Sequence, residues 1–184
     1  MRKLKQCLLF LTLSGLGLAG CNQHTASSPQ PMQAAIAAGE IGSHLPKFSV
    51  KDLQGQEISS ADLLGKVVLV DFWATWCQPC KKEMPGYQRL LNLYDSHGFA
   101  VIGLKFDTMA DAENPLSFAK KIGVQYPLAV ASDDLREKFG GIEGLPTTML
   151  YDKQGILRKK IVGFEYPNVI ESAVKSLLSS SSVH

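Results

Sequence analysis

From Glu40 to Leu178 the apolar residues fall into short blocks set apart by Gly, Pro, Asn and Asp. The spacing inside those blocks shifts between a strand period and a helix period. Lys47-Phe48-Ser49-Val50-Lys51 alternates, Asp52-Leu53-Gln54-Gly55 turns, and Gln56-Glu57-Ile58 returns, which predicts a hairpin. Ser59–Leu63 reads as a short capped turn, and Gly65-Lys66 leads into Val67–Phe72, an apolar run interrupted only by Asp71. A long helix is expected from Cys77 to about His97, kinked at Pro85, which removes one hydrogen bond. Phe99–Phe106 is a second buried strand. Asn114-Pro115 opens a helix to about Ile122 that Gly123 ends. A strand near Leu128-Ala129-Val130 and a short helix over Asp133–Phe139 follow. Thr147–Asp152 and Ile156–Val162 flank Lys153-Gln154-Gly155 as a hairpin, and Pro167 opens a terminal helix reaching about Leu178. Strands that alternate with helices and then close in a hairpin predict an α/β sandwich, a mixed sheet with helices on both faces. Met84, the Phe residues and the C-terminal Leu positions read as core.

Residues 1–39 follow a different pattern. Met1-Arg2-Lys3-Leu4-Lys5 is basic, Cys7 to Ala19 is apolar, and Leu18-Ala19-Gly20-Cys21 supplies small residues before a cut. That describes a secretory signal over 1–20, since the apolar run is short of the ~20 residues a spanning helix needs. Leu-Ala-Gly-Cys also resembles a bacterial lipobox, which implies cleavage before Cys21 and a lipid on it. An ordinary signal peptide with a coincidental cysteine is the alternative. Asn22 to Gly39, rich in Ser, Ala, Gln and Pro, reads as a flexible tether, so the expected organisation is signal 1–20, tether 21–39 and one domain over 40–184. Removing Arg2, Lys3 and Lys5 takes the formal charge from +2 to −1. The basic balance is thus mostly a targeting feature, and no basic patch for nucleic acid remains.

The cysteines carry the chemistry. After processing they would be Cys21 and the pair Cys77 and Cys80, so an exported chain keeps two cysteines without a structural disulfide framework. The pair follows a β-branched strand and opens a helix. There the macrodipole and unpaired N–H groups favour a thiolate, and a second thiol one turn later can resolve a mixed disulfide. A zinc half-site is the alternative. A structural zinc centre needs four ligands, and His24, His44, His97 and His184 are scattered. No cofactor is expected.

Asp71-Phe72-Trp73-Ala74, Trp76-Cys77 with Cys80, Pro85, and Gly144-Leu145-Pro146-Thr147-Thr148 together resemble the thioredoxin superfamily over roughly residues 40–178. The leading hairpin, the insertion around 108–131, the export signal and Cys77-Gln78-Pro79-Cys80-Lys81-Lys82-Glu83 resemble its envelope-anchored TlpA/ResA-like branch. Some members of that branch reduce apocytochrome c during haem attachment. The resemblance implies a thioredoxin-like fold with an N-terminal hairpin extension and a thiol–disulfide oxidoreductase. Exported proteins with disulfides would be its substrates, a membrane donor would supply electrons, and the chain would act as a monomer at the cell envelope. Cys77 would be the exposed nucleophile and Cys80 the buried resolving thiol. Pro146 would be cis, with Leu145, Pro146 and Thr147 lining the substrate path and Trp76 capping the site, while Trp73 packs inward.

Asp71, a carboxyl in an apolar strand, should hold its proton and could accept one from Cys80; a partly solvated strand-end Asp is the alternative. Glu83 shares a helix face with Cys80 and by resemblance tunes the pair, or else is a solvated helix glutamate. Gly103 stands where thioredoxins carry a lysine. Pro79 before the second cysteine favours a reductant, with an envelope oxidant or isomerase as the alternative. A thiol peroxidase would want Thr-x-x-Cys, whereas Thr75 lies only two residues before Cys77. A metal-binding module is the non-enzymatic alternative.

Overall fold

Every side chain of the central strand β3 (Val67–Trp73) is buried, because both faces of the sheet are covered. The structure, a computed structural model, describes residues 36–106 and 113–180. The expected signal segment, Cys21, most of the tether, and His24 and His184 lie outside them. Among the described residues no helix is long and apolar enough to cross a membrane.

The elements run β1 (Ser49–Lys51), β2 (Glu57–Ser59), β3, α1 (Gln78–Tyr94), β4 (Phe99–Phe106), α2 (Pro115–Lys121), β5 (Leu128–Ala131), α3 (Asp133–Lys138), β6 (Thr147–Tyr151), β7 (Leu157–Val162) and α4 (Pro167–Ser179). β1 and β2 form the predicted hairpin as a separate two-stranded sheet. The main sheet has the order β5-β4-β3-β6-β7, with β3, β4 and β5 parallel and β6 and β7 antiparallel to their neighbours. Alternation along β3 sends Val67, Leu69 and Trp73 to the face covered by α1, α2 and α4. Val68, Val70 and Phe72 go to the face covered by α3 and the hairpin. The sandwich is therefore double-sided, as the pattern predicted.

Local chemistry explains the boundaries. Asn114 caps α2 by accepting from Leu116 and Ser117, and Ser132 caps α3 by accepting from Leu135. The helix expected to reach His97 ends at Tyr94; Asp95–His97 tighten into a 3-10 turn, and Gly98 closes it with φ of 84°. Pro85 lies inside α1, so the Lys81 carbonyl lacks its helical partner. At Gly86 a Cβ would come within 2.6 Å of the Pro167 ring, so glycine is what lets α1 and α4 meet. Arg89 pairs with Glu171 across the same two helices at 2.9 Å, and Tyr94 donates to that carboxylate at 2.9 Å.

Two expectations need correction. Phe164 is 40 % exposed rather than core, set edge-on to Tyr166 at 5.2 Å in the loop before α4. The end of the expected tether, Ala38-Gly39, lies against Phe139-Gly140 on the domain. Gly39 is buried there, and a Cβ on either glycine would overlap backbone of the opposite segment.

Candidate active site

The apolar strand β3 delivers the chain to a turn at Ala74–Cys77, closed by the Cys77 N–H donating to the Ala74 carbonyl at 3.1 Å. Cys77 is the N-cap of α1. Its Sγ accepts from the Cys80 N–H at 3.3 Å, and Pro79 occupies the first turn, where a missing N–H costs nothing. The pair forms a disulfide with Cα atoms 5.3 Å apart. Cys80 is fully buried. Cys77 was expected to be exposed, but only 3 % of it is, because capping folds its sulfur back over the first helical turn.

Two buried acids lie near one another, Asp71 on β3 and Glu83 on α1. Asp71 is fully buried and its carboxyl oxygens have no partner among the described residues. Burial, and then the Glu83 charge, push its ionisation well above the usual carboxylate range. The partly solvated alternative is thereby removed. Glu83, one turn after Cys80, is also fully buried, so it is not a solvated helix glutamate. Its Oε2 accepts from the Glu165 N–H at 3.4 Å, and burial raises its pKa to about 8 despite that amide and the Tyr87 hydroxyl.

The remaining expected residues divide. Trp76 is 46 % exposed beside Cys77. Trp73 is fully buried and stacks on Phe118 at 5.3 Å, with the Lys81 ammonium over the other ring at 5.4 Å. The Leu145–Pro146 peptide is cis. The Leu145 amide and carbonyl have no hydrogen bond among the described residues, whereas the Pro146 carbonyl accepts from Gly163 at 2.8 Å. Thr147 does not face outward: it is fully buried, pairs with Phe72 and Val162, and donates its hydroxyl to the Gly144 carbonyl at 2.7 Å. Gly103 stands in register with Asp71.

Several site residues were not singled out in the sequence. Tyr87 reaches Thr148 Oγ1 at 2.9 Å and feels both acids; its place one turn after Glu83 was a usable signal. Tyr126 arrives from the segment before β5 with its hydroxyl buried, and Glu165 from the loop before α4; neither has a local signature. Lys105 is buried on β4, two residues beyond Gly103, with its ammonium on the Phe106 carbonyl at 2.9 Å. Among the described residues no group of His, Cys, Asp and Glu is arranged to hold a metal.

Known proteins resemble this chain in sequence and fold. The AhpC/TSA family pattern matches residues 41–160. The thiol-disulfide oxidoreductase ResA of Bacillus thuringiensis is 35% identical over 138 residues, which cover 75% of this chain and 79% of that one. The thioredoxin-like protein YneN of Bacillus subtilis is 32% identical over 123 residues, 66% of this chain and 71% of that protein. Among solved structures, a thioredoxin-family thiol:disulfide interchange protein from Chlorobium tepidum superposes with a TM-score of 0.68 at 31% identity, covering 77% of this chain and all of that one. With a paired CxxC at the head of α1 and these relatives, the chain belongs to the AhpC/TSA family and is a thioredoxin-like thiol–disulfide oxidoreductase of the ResA kind.

Proposed function

We propose that this protein reduces disulfides of exported proteins at the cell envelope, where lipid on Cys21 holds it to a membrane. The observation that carries the reading is the Cys77–Cys80 pair at the head of α1, with Cys77 as the helix N-cap and two buried acids on the strand before it and the helix it opens. A helix N-terminus favours the thiolate of Cys77. That thiolate attacks a substrate disulfide, one substrate sulfur leaves and takes a proton from solvent, and a Cys77–substrate disulfide remains. Cys80 then gives its proton to the Asp71 carboxylate, and its sulfur attacks Cys77 Sγ. The second substrate thiolate departs, and the Cys77–Cys80 disulfide has handed two electrons to the substrate. Glu83 tunes this exchange from one turn away. A membrane electron donor restores the dithiol.

Trp76 and the unpaired Leu145 backbone beside Pro146 supply a surface for an extended substrate strand. Thr147 shapes that loop from within.

Pro79 before the second cysteine, which resembles the reductants of the superfamily, supports the reducing direction. A titration against thiol buffers should place the pair toward the thioredoxin end of the ~−270 to −120 mV family span; a value at the other end would make it an oxidant. The central experiment expresses Cys80→Ser in the full chain with its leader. Mixed disulfides through Cys77 should accumulate with exported proteins and vanish on adding dithiothreitol. Their absence, together with no reduction of insulin by the wild type, would overturn the proposal. Mass spectrometry of the mature N-terminus tests the lipid on Cys21.

A further inference from the structure

On the α1 side of the sheet the interior holds polar atoms that find no partner among the described residues: both Asp71 carboxyl oxygens, Trp73 Nε1, Glu83 Oε1 and the Tyr126 hydroxyl. Gly103 is what brings them together. It stands in register with Asp71, and a Cβ there would lie 2.5 Å from Leu128 Cδ2, 3.0 Å from Trp73 Nε1 and 3.2 Å from Tyr126 Cε2. Cε2 adjoins the carbon bearing the hydroxyl. The phenol end of Tyr126 and the indole N–H therefore occupy the space that a β4 side chain would fill beside Asp71. Tyr126 enters from the wall of a surface cleft of about 350 Å³ between α2 and the turn after β1, with its hydroxyl turned inward.

Two of these atoms belong to an N–H or O–H donor and three are carboxyl oxygens, and none is hydrogen-bonded to another. Orphaned buried groups of this kind are costly unless bridged, and interior water typically bridges about three such groups. We propose that Tyr126 is a positioning residue for the resolving step: its hydroxyl donates, through an interior water, to the Asp71 carboxylate that receives the Cys80 proton. This rests on the role proposed for Asp71 and adds the group that makes it workable.

Burial alone would keep Asp71 protonated and leave Cys80 without a base. A donor at the carboxylate opposes that. A phenol suits the task because burial and the Asp71 charge push its own ionisation up, so it stays a neutral donor across the working pH range. In the step, the Cys80 proton moves to Asp71. The Cys80–Cys77 bond forms as the Cys77–substrate bond breaks, and the departing thiolate is protonated. Tyr126 gains and loses nothing. The titratable groups that share the electrostatics of Asp71 are Glu83 and Tyr87 from α1, and Tyr126; Glu165 acts further out, through Glu83.

The test mixes the reduced protein with 5,5′-dithiobis(2-nitrobenzoate) in a stopped flow across pH 5 to 9. The first release of thionitrobenzoate reads Cys77 attack and the second reads Cys80 resolution. Tyr126→Phe should leave the first phase unchanged. It should slow the second about three- to tenfold at pH 7 and move its acid limb up by about half to one pH unit, a unit being tenfold. An unmoved second phase in Tyr126→Phe, with Asp71→Asn slowing it, would overturn the role of Tyr126 alone. An unmoved second phase in both would remove the Asp71 reading as well. Infrared spectra of the disulfide form provide a readout independent of kinetics. A protonated-carboxyl band that Asp71→Asn abolishes should shift upward in Tyr126→Phe, as loss of a donor requires; an unshifted band would also overturn the inference.

Discussion

On one face of the five-stranded sheet Phe139 sits edge-on to Phe72 at 5.2 Å and to Tyr151 at 6.4 Å, with Phe48 tilted against it at 5.9 Å. Even the polar tip of Tyr151 is met by a thioether, Met149 Sδ, at 3.5 Å. On the other face Asp71, Trp73, Glu83 and Tyr126 bring polar atoms into an equally buried space without pairing them. The first arrangement gains contact area and aromatic geometry, and its stability should be indifferent to pH. The second raises the ionisation of two acids by desolvation, so its stability must depend on pH. A fold that needs only to persist would use the first kind of packing on both faces. The difference marks the α1 face as the one where stability yields to proton chemistry.

Four measurements would break or sharpen that contrast. Phe139→Ala, on the aromatic face, should cost about 3–5 kcal/mol by urea unfolding, equally at pH 5 and pH 8. Its thiol exchange rates should stay near wild type; a rate loss matching the stability loss would mean the faces are not separable.

Glu83→Gln tests the other face through sign as well as size. The Glu83 pKa is raised from 4.5 to about 8 on folding, so above about pH 4.5 the unfolded chain ionises where the native one does not. Native Glu83 then binds more protons than the unfolded state, and stability falls as pH rises from about 4.5 to about 8. Below that window both states are protonated and the substitution is neutral. At pH 8 Glu83→Gln should be more stable than wild type by roughly 2–4 kcal/mol, while its exchange reactions lose their normal pH profile. A variant less stable than wild type at pH 8 would contradict a buried neutral acid.

Gly86→Ala would ordinarily stabilise a helix by up to about 1 kcal/mol. Here the added methyl meets the rigid Pro167 ring at 2.6 Å, so we expect a net loss of about 1–2 kcal/mol in thermal or urea unfolding. Arg89→Ala should do least. Its partner Glu171 also holds Lys175 at 3.0 Å and the Tyr94 hydroxyl, and Arg89 is half exposed, so a small fall in unfolding midpoint should disappear at roughly 1 M salt.

What was readable in the sequence is what is local. Asn114-Pro115, Ser132 and Gly123 fix their helix ends through bonds to neighbours a few residues away, and the apolar run 67–72 reads as a buried strand, which β3 bears out. Cys77, Cys80 and Asp71 stood out because their types are costly or reactive in those settings. Tyr126 did not, since its meaning depends on a glycine more than twenty residues earlier on a neighbouring strand. The burial of Glu83 was equally hidden: Lys81 and Lys82 beside it read as a wet surface, and the lid over it comes from Glu165, 82 residues away. Phe164 was misread because hydrophobicity argues for burial, while loop geometry decides exposure.

Pro85 interrupts α1 between the turn that carries both sulfurs and the stretch that Gly86 and Arg89 fasten to α4. One rung is missing from its ladder there, so the sulfur-bearing turn and the fastened stretch are joined by fewer backbone bonds than an unbroken helix would give.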